Sequence, residues 1–223
     1  MPVLHLHREV KHLNKLILQL GGQVEENLRQ GVQALQKRDS RQAHRLQDED
    51  SVVDSLEVRV EEECLKILAL HQPVASDLRY IVAVLKINGD LERIGDLSSS
   101  LARHSTVLST QKQIPVPEQI NTISGLSREM LNQGLNALVE RDVNSCQRIL
   151  HEDKKVDAHY HEVREWFHDQ VKANPEDAAT YLNIFMAAKD LERIADHACN
   201  IAEDVIYLIT GEIVRHHDLD AEE

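Results

Sequence analysis

The chain has 223 residues and a formal net charge of −13, and it contains only 8 glycines, 5 prolines and 3% aromatic residues. This composition favours helices over strands, and the acidic balance argues against binding to nucleic acid or, by charge alone, to an anionic membrane. No apolar run approaches the roughly 18 residues that span a bilayer, no signal-peptide core is present, and Cys64, Cys146 and Cys199 show no paired spacing. We therefore expect a cytoplasmic protein with reduced cysteines and no segment inserted in the membrane.

Apolar residues at helical spacing predict six helices. The first contains the adjacent glycines Gly21 and Gly22. Because each glycine costs about 1 kcal/mol in a helix relative to alanine, we expect a close helix crossing or a kink there. Two prolines, Pro115 and Pro117, mark a linker between the third and fourth helices. In chain order, the helices are expected over residues 4–37, 40–70, 74–109, 118–139, 142–173 and 176–211.

A heptapeptide in the third helix recurs in the sixth. Residues 90–96 have the sequence Asp-Leu-Glu-Arg-Ile-Gly-Asp, and residues 190–196 repeat it 100 positions later with alanine in place of glycine. Further matches at an offset of 103 relate the second helix to the fifth. An internal duplication therefore predicts an all-α fold of two tandem repeated three-helix bundles, residues 1–112 and 118–223, joined by the linker.

Each copy of the heptapeptide carries carboxylates, and more lie on the preceding helix. At 100° per residue, Glu92 and Asp96 fall within about 30° of an apolar stripe that begins at Leu78, which predicts that they face the core. In the second copy Lys189 replaces Gly89 and is able to neutralise nearby acids, so the first copy is the better candidate for a metal site. The preceding helices carry acidic columns, with Asp50, Asp54, Glu57 and Glu61 in the first half and Asp153, Asp157 and His161 in the second.

Acids crowded in this way call for a cation, because neighbouring carboxylates repel and a buried one without a partner is costly. Two interpretations are open. In the first, Arg93 and Arg193 form salt bridges and the remaining acids are solvated. In the second, the acids bind a metal ion, for which oxygen ligands favour Fe³⁺, Mn²⁺ or Mg²⁺, and Zn²⁺ if His161 or His197 joins.

Five stretches of the chain, in this order and spacing, resemble the PhoU family of bacterial phosphate-signalling regulators over nearly the whole length. A lone Glu-x-x-x-Asp motif would carry no such meaning. The stretches are LGGQVE at 20–25, QPVASDLR at 72–79, LERIGD at 91–96, EDKKVD at 152–157 and LERIAD at 191–196.

The resemblance implies a regulator with no catalytic residues and with two repeated bundles, often paired as a homodimer. It implies that the protein links the ATPase subunit of the phosphate ABC transporter to the sensor histidine kinase of the phosphate response, represses that response when phosphate is plentiful, and restrains uptake. It also implies multinuclear iron or zinc clusters, to which the donor chemistry adds manganese and magnesium. The implied metal ligands are Asp50, Asp54, Glu92, Asp96, Asp153, Asp157, Glu192 and Asp196.

Two alternatives compete with this function. A carboxylate-bridged di-iron enzyme of ferritin-like type needs Glu-x-x-His on two helices, and the chain has Glu9-x-x-His12 and Glu165-x-x-His168, both away from the duplicated acids. A helical adaptor without any metal is the other alternative. Whether phosphate is bound directly stays open, since the sequence shows no evident site for it, neither a glycine-rich loop nor a basic pocket.

Overall fold

The structure of the chain, a computed structural model, describes residues 2–48 and 50–214, without the side chains of residues 2–4, 47, 48 and 50. Within these ranges the chain is helical and has no strand, which confirms the all-α class. Helices α2 and α3 lie on either side of residue 49 and together occupy the span predicted for the second helix. The helices are α1 (Pro2–Lys37), α2 (Ser40–Asp48), α3 (Asp50–His71), α4 (Ala75–Thr110), α5 (Glu118–Glu140), α6 (Val143–Ala173) and α7 (Ala178–Thr210), with a single 3₁₀ turn at Pro175–Asp177.

The helices form two bundles in tandem, as the duplication predicts. In the first bundle α1 to α4 pack together, and in the second α5, α6 and α7 pack together. The bundles meet mainly where α4 packs along α7, with a smaller contact between α1 and α5. One apolar cluster runs through both bundles. The domain limits 1–112 and 118–223 stay a prediction.

The Arg-Asp dipeptides that follow α1 and α5 form equivalent turns. Arg38 and Arg141 both have left-handed backbone angles, with φ values of 51° and 56°. The next residue in each case caps the helix that follows: Asp39 accepts backbone hydrogen bonds from residues 41 and 42, and Asp142 accepts one from Asn144. A short acidic side chain at this position satisfies free amides of the first helical turn. The sequence match between the halves thus reflects a matched helix–turn–helix geometry.

Glycine allows two close approaches of α1 to other helices. A Cβ atom added to Gly21 would lie 2.6 Å from a methyl group of Leu135 in α5. One added to Gly31 would lie 2.7 Å from the backbone oxygen of Ser98 in α4. A Cβ atom at Gly22 would have no such atom within 4 Å. The expected helix crossing is therefore present at the first glycine of the pair.

The linker is fixed to the first bundle by Arg38. Its guanidinium donates hydrogen bonds to the backbone oxygens of Leu108, Lys112 and Ile114, at 3.4, 3.3 and 2.8 Å. Lys112 in turn pairs with Asp177 of the second bundle at 2.5 Å. The linker is thus held to the first bundle by Arg38 and to the second bundle by Lys112. None of the helices in the described ranges combines the length and apolar character needed to cross a membrane.

Candidate functional site

The two heptapeptides lie near the middle of the antiparallel contact between α4 and α7. In each copy the leucine and isoleucine are fully buried, whereas the glutamate is partly exposed and the last aspartate is exposed. The side chains of Glu92 and Asp96 are 27% and 48% exposed. The prediction that they face the core was therefore wrong, and Leu78 of the same stripe is also exposed. Helix α4 has apolar residues on two faces, and periodicity alone does not show which face is buried. The fully buried residues include those of the face that does not carry Glu92 and Asp96, namely Ile87, Leu91, Ile94 and Leu101.

The first acidic cluster joins α3 to α4, with Asp54 and Glu57 facing Glu92 and Asp96. Burial raises the pKa of Glu92, the negative charges of Asp96, Glu57 and Asp54 raise it further, and Arg93 partly opposes them. Arg93 lies 3.3 Å from both Glu92 and Asp96. The cluster borders an open groove that α7 closes on one side with Asn200 and Glu203.

Glu57 is a member of this cluster that the implied ligand set omits. Asn88 donates to its carboxylate and to its backbone oxygen, each at 3.1 Å. Burial raises the pKa of Glu57, and Glu61 and Asp54 add to this effect. Its place in the acidic column of α3 was the signal available from the sequence. Asp50 lies outside the described side chains, and its role as a ligand stays a prediction.

The second acidic cluster brings together Asp153 and Asp157 of α6 with Glu192 and Asp196 of α7. Burial and then Asp157 and Asp196 raise the pKa of Asp153 to about 6, although Cys199 opposes the shift by a hydrogen bond. Burial and the three neighbouring acids raise the pKa of Glu192 to about 7. Partial loss of hydration raises the pKa of Asp196, and Asp157 adds to it, although the side chain keeps contact with solvent.

The acids of the second cluster therefore have the more strongly raised pKa values of the two clusters. Lys189 does lower the pKa of Glu192, as a neutralising lysine should, but its effect is the smallest of those acting there. The two clusters also differ in composition on the first helix of each pair, α3 and α6. At the offset of 103 that relates the two halves, Tyr160 is the equivalent of Glu57 in the first cluster. Tyr160 stacks on Phe185, with 5.8 Å between the ring centres. Burial and the charge of Glu192 raise the pKa of the Tyr160 hydroxyl, so the ring lies beside this cluster.

The donor chemistry of both clusters fits a cation. Carboxylates with raised pKa values are destabilised as anions, and a hard metal ion would relieve their repulsion. As they stand, however, no three acids, histidines or cysteines within the described ranges are placed so as to hold a metal ion. Binding would therefore require side-chain rotation.

The two histidines considered as further ligands have other partners. His161 is exposed, and its Nδ1 lies 2.8 Å from the guanidinium of Arg164. His197 donates to the carboxylate of Asp90 at 2.8 Å, across the contact between α4 and α7. Neither is oriented as a ligand of the second cluster.

Polar contacts between the bundles are the feature that sequence reasoning missed. Asp90 accepts from His197 and, at 3.1 Å, from Asn200. Towards the other end of the contact, the Nε2 atom of His104 lies 3.3 Å from a carboxylate oxygen of Asp190. The first residue of each heptapeptide copy is thus used to join the bundles. The duplication itself was the signal, since both copies keep this aspartate.

The Glu-x-x-His elements required for a ferritin-like di-iron site are not brought together. One lies on α1 and the other on α6, and these two helices are not in contact within the described residues. Glu9 is instead paired with His71 at 2.7 Å. The side chain of Glu165 is 63% exposed beside His161.

Comparison with known proteins identifies the fold. The family model of the PhoU domain matches the chain twice, at residues 17–104 and 120–205. The crystal structure of PhoU from Pseudomonas aeruginosa is similar with a TM-score of 0.89 and 34% identity, covering 92% of this chain and 99% of that one. The phosphate transport system regulatory protein PhoU from Streptococcus pneumoniae has a TM-score of 0.87 and 28% identity, with coverages of 94% and 99%.

Sequence relatives agree with these structures. The phosphate-specific transport system accessory protein PhoU of Serratia marcescens is 32% identical over 213 residues, which are 96% of this chain and 88% of the relative. The homolog from Pseudomonas aeruginosa is 36% identical over 209 residues, which are 93% of this chain and 86% of the relative. The PhoU domain covers most of the chain in two copies, so this chain belongs to the PhoU family.

Proposed function

We propose that this chain is a non-enzymatic regulator of phosphate homeostasis, which represses the phosphate-starvation response and restrains phosphate uptake. The observation that carries the proposal is the match of both repeats to the PhoU domain, over the same residues that form the two bundles. Relatives that align along nearly the whole chain are phosphate transport accessory proteins. The separated Glu-x-x-His elements weigh against the di-iron enzyme.

The regulator acts in the cytoplasm by contacting other proteins. Its proposed partners are the ATPase subunit of the phosphate ABC transporter and the sensor histidine kinase, which it links. Long helices offer extended side-chain surface for protein contacts, whereas a net charge of −13 is unsuited to nucleic acid. The protein works as a homodimer, which sedimentation velocity would test.

Deletion of the gene tests the regulatory role. In phosphate-rich medium, the deletion strain should express phosphate-starvation genes and should take up phosphate without the usual restraint. Expression of the full chain in the same strain is the control and should restore repression. Normal gene expression together with normal uptake in the deletion strain would overturn the proposal.

Co-purification tests the partners. The tagged chain should retain the transporter ATPase subunit and the sensor kinase after nuclease treatment, because the contacts are between proteins. Substitution of exposed acids should change the salt dependence of these complexes, since charges at an interface mainly set its salt sensitivity. Capture of neither protein at high or low phosphate would contradict the linking role.

We also propose that the two acidic clusters hold metal ions. In the first cluster Asp50, Asp54, Glu92 and Asp96 would supply oxygen ligands, with Glu57 beside them. In the second cluster the ligands would be Asp153, Asp157, Glu192 and Asp196. A bound cation would neutralise the crowded carboxylates and connect the two helices of each pair. The raised pKa values of the acids in both clusters support this proposal.

Metal analysis of variants tests this role without any activity assay. Glu92→Gln with Asp96→Asn should remove the metal of the first cluster, and Glu192→Gln with Asp196→Asn that of the second, while both proteins stay folded. The loaded wild type should melt above its chelated form, because a ligand that binds only the folded state stabilises it. If wild type contains no metal and the neutral variants are more stable, the acids only repel one another and the metal-free adaptor is correct.

A further inference from the structure

A groove of about 810 Å³ lies between the first half of α1 and the last half of α3. We call it the basic groove, because Arg8, Lys11, Lys15 and Lys66 line it together with Glu9 and Glu63, and two histidines and an asparagine complete the lining. Its lining is therefore cationic overall in a chain whose net charge is −13. This basic pocket was not evident from the sequence.

The two acids of the basic groove already have partners within the protein. Lys66 lies 3.1 Å from Glu63 and 3.4 Å from Glu9, and His71 lies 2.7 Å from Glu9. Burial raises the pKa of Glu9, but the hydrogen bonds from His71 and Lys66 outweigh this effect, so the pKa is lowered overall. These carboxylates therefore do not compensate the remaining cations.

Arg8, Lys11 and Lys15 are the cations left over. They are exposed, and their spacing of three and four residues puts them along one face of α1. Among the described residues, no carboxylate lies within 4.0 Å of any of them. Like charges at this spacing repel, so the arrangement lowers the stability of the free protein.

We propose that the basic groove binds a soluble anion with several phosphate groups, such as a short polyphosphate. Three exposed cations along one wall match a chain of negative charges rather than a single one. The groove is concave, and its volume lies within the range of small-molecule sites. The inference is independent of the proposed regulatory role, since it rests only on the charges and shape of this surface.

The lining residues argue against other anionic partners. All of them are polar or charged, and none of the large exposed apolar residues of the described chain belongs to the groove. A protein interface normally has an apolar or aromatic centre, and a membrane-bound helix needs an exposed apolar face. Single-stranded nucleic acid is usually held by aromatic stacking, and the lining has no Phe, Tyr or Trp.

Calorimetric titration of the full chain with inorganic tripolyphosphate tests the proposal. Wild type should bind it, and orthophosphate should bind more weakly because it carries less charge. The triple variant Arg8→Gln, Lys11→Gln, Lys15→Gln should lose affinity by about tenfold or more, from three exposed charge contacts. The matched control is Lys37→Gln, Arg103→Gln, Lys172→Gln, which removes the same three charges from exposed sites elsewhere and should bind like wild type.

The following outcomes would overturn the proposal. Wild type could fail to bind tripolyphosphate, or both triple variants could lose affinity equally, which would indicate a general effect of net charge. In parallel arms, vesicles of phosphatidylglycerol or a single-stranded oligonucleotide could bind the groove while tripolyphosphate does not. Circular dichroism of both variants confirms that each is folded, so a loss of binding is assigned to the groove.

Discussion

At the scale of single residues, Glu192 and Asp153 are unusual because they keep their protons up to a pH at which exposed acids are ionised. Their pKa values, about 7 and about 6, are raised first by burial and then by the neighbouring acids. The folded state therefore binds these protons more tightly than the unfolded state does. Each group contributes stability that is fully present below the unfolded pKa and is lost as the pH rises through the folded pKa.

For the chelated protein we predict that Glu192→Gln is more stable than wild type at pH 8. The shift from 4.5 to about 7 is discounted for solvent screening to roughly 1–2 kcal/mol. The advantage should shrink as the pH falls from 7 towards 4.5, where wild type also holds the proton. Urea unfolding at pH 5 and pH 8, with a chelator present, measures both values.

The control for this prediction is Glu62→Gln, which neutralises an exposed acid on α3. It should change the free energy of unfolding by less than about 0.5 kcal/mol at either pH. An equal stabilisation by both variants would mean that overall charge, not the second cluster, sets the stability.

The duplication was sufficient to pair the acids of α3 with those of α4, and those of α6 with those of α7. It could not show that Glu57 joins the first cluster while Tyr160 takes the equivalent place in the second. It also could not rank the clusters, because the pKa values depend on burial by side chains from other helices. The exposure of Glu92 and Asp96 was not predicted either, because it also depends on which face of α4 the other helices cover.

At the scale of helices, two glycines of α1 allow the effect of helix propensity on stability to be measured apart from the effect of packing. Gly22 faces open space, whereas Gly31 lies against the backbone of α4 at Ser98. Both are in the interior of one helix, so alanine brings the same gain in helix propensity at each. Only the contact differs between them.

We predict opposite effects for Gly22→Ala and Gly31→Ala. The first should raise the free energy of unfolding by about 0.5–1 kcal/mol, because alanine loses less entropy on folding. The second should lower it by roughly 1–3 kcal/mol, because the new methyl group meets a backbone oxygen that has little room to move. Chemical denaturation of the two variants beside wild type measures the difference, and stabilisation by both would show that the α1–α4 contact is looser than described.

Helix positions were largely predictable, because prolines and Arg-Asp turns end the periodic segments. The residues that contact each other between helices were less predictable. The crossing at Gly21 was expected, but its partner Leu135 lies on the other bundle, and sequence spacing contains no information on such pairs.

At the scale of the whole molecule, the contact between α4 and α7 makes the bundles interdependent. It buries apolar residues of both helices and includes the contacts of Asp90 with His197 and of His104 with Asp190. We therefore predict one cooperative unfolding transition for the chelated chain by calorimetry, with equal calorimetric and van't Hoff enthalpies. Asp190→Ala should lower the transition temperature, and two separate transitions in wild type would contradict the prediction.

The way Arg38 holds the linker has a consequence for how the chain can be cut. With the linker bound to one bundle and Lys112 paired with the other, continuity of the peptide between the bundles contributes little beyond raising their local concentration. A protease site inserted after Gln113 and cleaved should yield two fragments that elute as one species in gel filtration. Two separately expressed polypeptides, divided at the same point, should likewise reassemble into the intact fold.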